Sequence, residues 1–593
     1  MFQTFDTPTD PAASADRIAA LRGWMADRDL DAILIPRADA HQGEYVAARD
    51  EQLAWATGFT GSAGFAVVMA ERAALFTDGR YTLQVRQQSD AAIFEYVDWP
   101  ATSLTDWLKD ALPRGRLGLD PMLHTIDQVA ALRKLNGVEV VTDGNGIPDI
   151  WTDRPDRPAG TATAWPVELA GKGDETKRAE IAGAIRDAGA TAAVLTLPDG
   201  ICWLLNIRGT DLPRYPVVQC FAVIHDDARV DLFTDPGKFD DLGPDPAIAL
   251  HDWDAFLPAL SALDGPVLVD PATAPHAVAT ALGDTAVIHA PDPCALPKAC
   301  KTDAELDATR EAHLRDGAAM VRFLHWLDTE RTPDTTEIDV VRALEGFRRD
   351  TNALRDLSFD TICGSGPHGA IVHYRVTETT NRTLDADTVL LVDSGGQYLD
   401  GTTDITRTVP LGDPPHGIRH AFTRVLQGMV AISRARFPKG VAGCHLDALA
   451  RAPLWAEHRD YDHGTGHGVG VYLGVHEGPQ RLSRASTVPL RPGMIVSNEP
   501  GYYRTDEYGI RIENLVVVQP MAPPPDGDAR DMMGFDTLTY VPIDRRLIVT
   551  ALLSRDERDW IDAYHAQVLD RVGPRVDGAP LRWLRAMCTP LDD

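Results

Sequence analysis

TVLLVDSGGQYLDGTTDITRTV, residues 388–409, decides how the chain is read. Residues 389–392 form an unbroken apolar run, the pattern of a strand buried on both faces, and Asp393 follows it directly. A carboxylate at a core edge is costly unless a cation partners it. Asp404 lies further on, in a strand-like alternation behind the Asp400–Gly401 turn signal. Their odd spacing would put Asp393 and Asp404 on opposite faces of one straight strand, but Gly395, Gly396 and Gly401 let the chain reverse and bring them together. Two carboxylates held close repel unless they share a proton or a metal. Taken alone, the stretch is more often an ordinary hairpin with exposed acids.

Outward from this stretch, acids and histidines recur at the ends of apolar runs between residues 351 and 514. In DHGTGHGVG, His463 and His467 have the spacing of helical zinc-peptidase histidines, but no glutamate follows His463, so that motif is absent. Gly464, Gly466, Gly468 and Gly470 point to a close-packed loop or strand, because glycine is costly in a helix and useful where backbone approaches a site. His476 follows in VHEGP, and His373 lies upstream in GAIVHYR, which reads as strand-like. Lone histidines are usually satisfied core or surface residues, and His313, His325, His416, His420, His445 and His458 are read that way. Glu499 in MIVSNEPGYY lies just past an apolar run, and Glu513 in GIRIENLVVV reads as part of a β-branched strand with Arg511 on the same face. Burial would raise the pKa of such a glutamate unless a metal or arginine compensates; an edge strand with a surface Arg–Glu pair is the alternative.

Four carboxylates and one imidazole suit a pair of divalent cations, since four negative charges balance two 2+ ions and still permit hydroxide to bind. That donor set suits Mn²⁺, with Co²⁺ or Zn²⁺ also accommodated, and the lack of cysteine among these positions disfavours thiolate-selecting metals. Two ions about 3.5–4 Å apart lower the pKa of a bridging water and polarise a carbonyl, which is hydrolase chemistry. GSGPHG (364–369) satisfies GxGxxG, but Pro367 lies within it and no helical pattern follows, so a dinucleotide site is not expected there.

The remaining sequence sets the frame. Its 593 residues carry 57 basic and 87 acidic side chains, a formal charge of −30, and this field repels nucleic acid and anionic membrane surfaces. Seven irregularly spaced cysteines form no disulfide framework, the first residues lack the basic and apolar pattern of a secretory leader, and no apolar run reaches membrane-spanning length; a cytoplasmic protein is expected. Proline-rich stretches at 154–166 and 289–301 mark boundaries, giving expected domains 1–155, 156–297 and 298–593. The first two resemble each other: DAILIP, LAWATGFTGSAGFAVV and ALFTD against AAVLTLP, CWLLNIRGTD, CFAVI and DLFTD each read as strand, turn, strand, turn, strand. Helices are expected over 14–25, with Ser14 as N-cap, over 177–188 and over 305–327, and a Thr336–Asp339 capping box opens another.

The succession GAIVHY, LLVDSGGQYLDGTTDITRTV, RDYDHGTGHGVG, VHEGP, NEPGYY and GIRIEN resembles the pita-bread metallopeptidases, specifically the cytosolic three-domain Xaa-Pro aminopeptidases. The likeness extends to DAHQGEY, GFTGSAG and TDGRYTLQ near the start and to LTYVPIDRRLI and WIDAYH in the tail. It implies an α/β (α+β) chain: two related creatinase N-terminal-like α/β domains, then a pita-bread catalytic domain with a C-terminal extension. It implies that Asp393 binds one metal, that His467 and Glu499 bind the other, and that Asp404 and Glu513 bridge both. A bridging hydroxide would attack the peptide bond before proline with Glu499 as general base, while His373, His463 and His476 position substrate or stabilise the oxyanion. Arg80 in TDGR matches an arginine that contacts peptide, and Arg511 is a further substrate-binding candidate. A homodimer acting on peptides with proline second is implied. The alternatives are a prolidase-like dipeptidase, a metal-free amidinohydrolase on the same fold, and a catalytically inactive peptide-binding module.

Overall fold

The computed structural model describes residues 1–6 and 9–591. It divides into two compact units, one comprising Pro8–Val167 and Lys172–Lys298, the other Ala299–Asp593 with Glu168–Gly171 and the first residues.

Inside the first unit are two six-stranded sheets. One runs Phe94–Asp98, Ala73–Thr77, Phe65–Met69, Ala32–Pro36, Gly115–Gly118, Val138–Val141 from edge to edge. The other runs Ile248–His251, Val230–Phe233, Phe221–His225, Ala192–Leu195, Val267–Val269, Val287–His289. The sheets share one strand order and one set of pairing senses: the first three strands in sequence pair antiparallel, and every other pairing is parallel. Both faces of the first sheet are covered, which is why AILI is apolar throughout: Ile33 and Ile35 join one cluster, Ala32 and Leu34 the other.

The two modules meet through matching backbone bonds. Ala277 N–H donates to Pro121 O and Asp127 N–H to Pro271 O, both at 3.0 Å. His276 N–H donates to His124 O at 2.8 Å and Ile126 N–H to Ala274 O at 3.1 Å. Residues 121, 124, 126 and 127 thus correspond to 271, 274, 276 and 277, the exchange expected of related modules about a local two-fold axis.

Local details correct the sequence reading. A helix stands where a turn was read between the first two strands of each module, Gln52–Thr57 and Pro198–Leu204. Ser14 is the first residue of helix Ser14–Ala26 rather than its cap, because the turn Pro11–Ala13 leads straight into it.

The second unit packs long helices around the strands that bear the acids. Helix Asp303–Thr329 opens with a Thr302–Glu305 capping box, and helix Glu337–Arg349 with the expected Thr336–Asp339 box. Ile362–Ser365, Thr388–Ser394 and Ile405–Leu411 form a three-stranded antiparallel sheet. A six-stranded sheet runs Arg436–Pro438, Met532–Thr537, Asn514–Met521, Ile495–Asn498, Gly466–Gly468, Glu477–Leu482. Helix His416–Ser433 presents Phe422, Val425, Leu426 and Met429 to a core shared with Ile510, Ile512 and, from helix Arg555–Val572, Ile561 and Val568. AIVHY is not a strand: its Ala370 closes the 3₁₀ turn Gly366–Ala370 and the residues after it are irregular, and no α-helix follows GSGPHG. Glu513 lies in a break between Tyr508–Arg511 and Asn514–Met521, not within a continuous strand.

Candidate metal centre

Strand register brings the two aspartates together. Asp393 pairs with Thr406, so Asp404, two residues before Thr406, lies diagonally across on the same face. Gly396–Tyr398 pairs with Gly401–Thr402 to turn the chain between them. The reversal requires glycine at 395, because a Cβ there would meet Thr403 O at 1.9 Å. The glycines around His467 act alike: a Cβ on Gly466 would lie 1.9 Å from Ser497 O, and one on Gly468 2.3 Å from Glu477 O. His467 therefore sits on a short strand pressed between its neighbours.

The imidazole of His467 is oriented by its backbone. Nδ1–H donates to Gly468 O at 2.9 Å, which leaves the Nε2 lone pair outward, 3.5 Å from Asp404 Oδ2 and 3.5 Å from Glu499 Oε1. Glu499 continues strand Ile495–Asn498 and donates its N–H to Thr465 O at 2.8 Å. Glu513 N–H donates to Thr406 O at 3.2 Å, and Thr406 Oγ1–H returns a bond to Glu513 Oε2 at 2.7 Å. One ligand atom from each of Asp404, His467 and Glu513 lies within 4.8 Å of the others.

Burial, reinforced by the neighbouring carboxylates, pushes Asp404 and Glu513 well above the usual carboxylate range. Burial first and then Asp393 push Glu499 up to about 7, against the opposing field of Arg511. Asp393 Oδ1, Asp404 Oδ1 and Glu513 Oε1 are buried and accept no hydrogen bond from the described residues. Oxygen atoms so placed, beside an imidazole nitrogen aimed at them, fit hard divalent cations.

The cation that Asp393 demanded is Arg511. It is 1% exposed, and its fork donates to Asp393 Oδ2 at 2.6 Å, Tyr503 OH at 2.6 Å, Thr406 Oγ1 at 3.2 Å and Val372 O at 3.4 Å. These bonds occupy the arginine with protein acceptors on the metal side of the cluster. Tyr503 OH also lies 2.8 Å from His463 Nε2. The ring of His476 stands edge-on to His467 at 4.2 Å between centroids, and the adjacent Glu477 forms a buried ion pair with Lys301. His373 is half-buried and directly follows Val372, whose carbonyl Arg511 holds. The described structure thus gathers Asp393, Asp404, His467, Glu499, Glu513 and Arg511, with His463 joined through Tyr503 and His476 through His467. Arg80 belongs to the other compact unit, where its guanidinium pairs with Asp78 at 2.7 Å and Glu44 at 3.8 Å.

Comparison with known proteins agrees with this geometry. The model of metallopeptidase family M24 matches residues 307–520, and that of the C-terminal region of peptidase M24 matches 531–591. The Creatinase/Prolidase N-terminal domain is matched twice, over 17–149 and 153–305. Aminopeptidase P2 of Arabidopsis thaliana is 38% identical over 95% of this chain and 86% of its own length. The chain belongs to metallopeptidase family M24. Another member of similar likeness, a probable Xaa-Pro aminopeptidase P of Laccaria bicolor, is 38% identical over 98% of this chain and 94% of its own. Among solved structures, the X-prolyl aminopeptidase of Caenorhabditis elegans, described as a cytosolic enzyme with a di-nuclear active site, superposes with a TM-score of 0.92 at 33% identity, covering 98% of this chain and 100% of that one. The architecture is thus two creatinase-type N-terminal modules followed by an M24 pita-bread unit.

Three residues around this M24 centre escaped the sequence reading. Thr406 bonds Glu513, Tyr503 links Arg511 to His463, and Arg407 lies behind the cluster. Fully buried, Arg407 donates to Glu513 O at 2.6 Å, Val541 O at 2.7 Å, Asn514 Oδ1 at 2.8 Å and Tyr564 OH at 3.0 Å. A lone charge inside the alternation ITRTV was the signal available for it.

Proposed function

We propose that this chain is a metal-dependent aminopeptidase that hydrolyses the bond between an N-terminal residue and a following proline. The observation that carries the reading is the convergence of Asp393, Asp404, His467, Glu499 and Glu513, where one oxygen each of Asp393, Asp404 and Glu513 is buried without a partner among the described residues, in a chain matched over nearly its whole length by proteins named aminopeptidase P and Xaa-Pro aminopeptidase P. Asp404 and Glu513 would hold both of two divalent ions, His467 and Glu499 one, and Asp393 the other; manganese is the proposed metal, with cobalt or zinc as substitutes. When bound, such a pair activates water as a nucleophile and polarises the scissile carbonyl.

The chain's own groups supply the remaining steps. Glu499, whose Oε1 lies 3.5 Å from His467 Nε2 in the cluster, is placed to take a proton from the attacking water and pass it to the departing proline nitrogen. His463 and His476, at the edge of the cluster, and His373 are proposed as donors to the substrate carbonyl and the oxyanion that develops from it. Arg511 holds Asp393 in place, and through Tyr503 it also fixes His463. The acidic surroundings favour a free α-amino group on the substrate. The part of Arg80 as a peptide contact rests on resemblance alone.

We also propose a cytoplasmic location, three domains at 1–155, 156–297 and 298–593, and a homodimer. All seven cysteines are free thiols, and no helix among the described residues is long and apolar enough to cross a membrane. The deciding assay loads purified apoprotein with Mn²⁺, Co²⁺ or Zn²⁺ and offers Arg-Pro-Pro and Gly-Pro. Release of arginine from the tripeptide without cleavage of the dipeptide is expected. Cleavage of the dipeptide alone would make the protein a dipeptidase, and no turnover with any metal would make it a binding module.

A further inference from the structure

We propose that Glu337 is a positioning residue of the active site: its buried carboxylate clamps residues 365–374 at both ends and thereby fixes the imidazole of His373. The proposal rests on the reading of His373 as a substrate-facing group.

Residues 366–374 have little regular structure of their own. They form the turn Gly366–Ala370 and a second turn in which Tyr374 N–H donates to Ile371 O at 3.0 Å. Such a segment takes its position from what it is tied to. Glu337, the first residue of helix Glu337–Arg349, is 0% exposed, and its carboxylate accepts three bonds from this one segment. Ser365 N–H donates at 2.8 Å, His368 Nδ1 at 2.9 Å and Tyr374 OH at 3.0 Å. Ser365 and Tyr374 bracket the segment, and Tyr374 adjoins His373 in sequence. The Tyr374 ring also packs against His368 with centroids 4.4 Å apart, which couples the middle of the clamp to its end.

The clamp is itself anchored. Glu337 N–H donates to Arg382 O at 3.0 Å and Ile338 N–H to Asn381 Oδ1 at 3.1 Å, so the helix start is tied to the chain beyond the segment as well. A carboxylate at a helix start also lies at the favourable end of the helix dipole. The opposite side of the segment is pressed against strand Tyr508–Arg511, where a Cβ on Gly509 would lie 1.7 Å from Gly369 O. A Cβ on Gly364 would lie 2.6 Å from Gly369 N, and Gly366 has φ +52°. The glycines that imitate a dinucleotide fingerprint thus serve this close approach. Arg511, at the end of that strand, donates both to Val372 O and to Asp393. His373 is accordingly registered against the metal side by Arg511 and against the helix side by Glu337. Loss of either support would let the imidazole drift, and small displacements in an active site are expensive in rate.

The test compares Tyr374→Phe, Glu337→Gln, His373→Ala and the two double variants with His373→Ala, all Mn²⁺-loaded, measuring kcat and KM on Arg-Pro-Pro together with bound metal. Tyr374→Phe and Glu337→Gln are expected each to lower kcat about tenfold with metal content unchanged. Neither is expected to lower it further in the His373→Ala background, a non-additivity that a merely structural role would not produce. Tyr374→Phe removes one hydroxyl and decides the matter if Glu337→Gln fails to fold. Unchanged kcat in Tyr374→Phe, or losses that multiply in the double variants, would overturn the clamp while leaving the reading of His373 intact. Full activity in His373→Ala alone would overturn that reading, and the clamp with it.

Discussion

Replacing Arg511 with methionine removes the cation that holds Asp393 while retaining a side chain of comparable length. Four bonds are lost, to Asp393, Tyr503, Thr406 and Val372, and the Asp393 carboxylate is left buried beside three other acids. Breaking a buried pair by removing one partner typically costs about 3–5 kcal/mol, because the surviving charge has no compensation. In the metal-loaded enzyme the bound ions restore part of that compensation, so the stability loss should be larger in chelator-stripped protein than in loaded protein. Because Arg511 orients a proposed ligand from behind, the affinity of the ion held by Asp393 should also fall by about 10–100-fold, as for other outer groups around metal sites. Arg511→Lys should not restore it, since a single ammonium cannot reproduce a fork that reaches Asp393 and Tyr503 together. The assay is thermal unfolding with and without Mn²⁺, paired with a competitive titration of the metal. Wild-type affinity for two ions and unchanged melting in Arg511→Met would refute the assignment of Arg511 as the orienting partner.

Three further outcomes follow from particular contacts. Gly395→Ala places a Cβ 1.9 Å from Thr403 O, so the hairpin joining Asp393 to Asp404 must open; a loss of about 1–3 kcal/mol with weakened metal binding is expected, whereas Gly417→Ala, with nothing within 4 Å, should be nearly silent in the same melting assay. Tyr564→Phe takes away the hydroxyl that serves Arg407 at 3.0 Å and Val541 at 2.8 Å, and should cost about 1–3 kcal/mol in denaturant unfolding. Burial lowers His565 from 6.5 to about 4, so it stays neutral in the folded chain. A lowered folded pKa means its contribution is fully present above 6.5 and is lost as pH falls toward 4, about 3 kcal/mol in all, and a pH series of melting temperatures should show a shallower acid slope in His565→Asn.

The sequence is most legible where a residue breaks a local rule. Asp393 ends an apolar run, and the need for a cation that this implied is met by Arg511. The glycines about His467 announced close backbone approach, and their missing Cβ atoms are what allow it. The gathering of Asp393 and Asp404 followed from glycine-permitted reversal, although only the register of Asp393 with Thr406 shows them on one face. Long-range partnerships were not legible. The part of Arg511 depends on Tyr503 and Val372, and that of Glu337 on Ser365 and His368 in the glycine-rich GSGPHG and on Tyr374 in AIVHY, which looked like a strand. Helices Gln52–Thr57 and Pro198–Leu204 were missed because short apolar stretches carry too few turns to display a helical period.

The central claim is that acids distant in sequence meet around two ions. Crystals grown with Mn²⁺ and measured at its absorption edge test it most directly. Two anomalous peaks per chain are predicted, about 3.5–4 Å apart and shared by Asp404 and Glu513, with His467 and Glu499 on one and Asp393 on the other. Peaks elsewhere, or a fully active protein in which no transition ion binds these side chains, would contradict it.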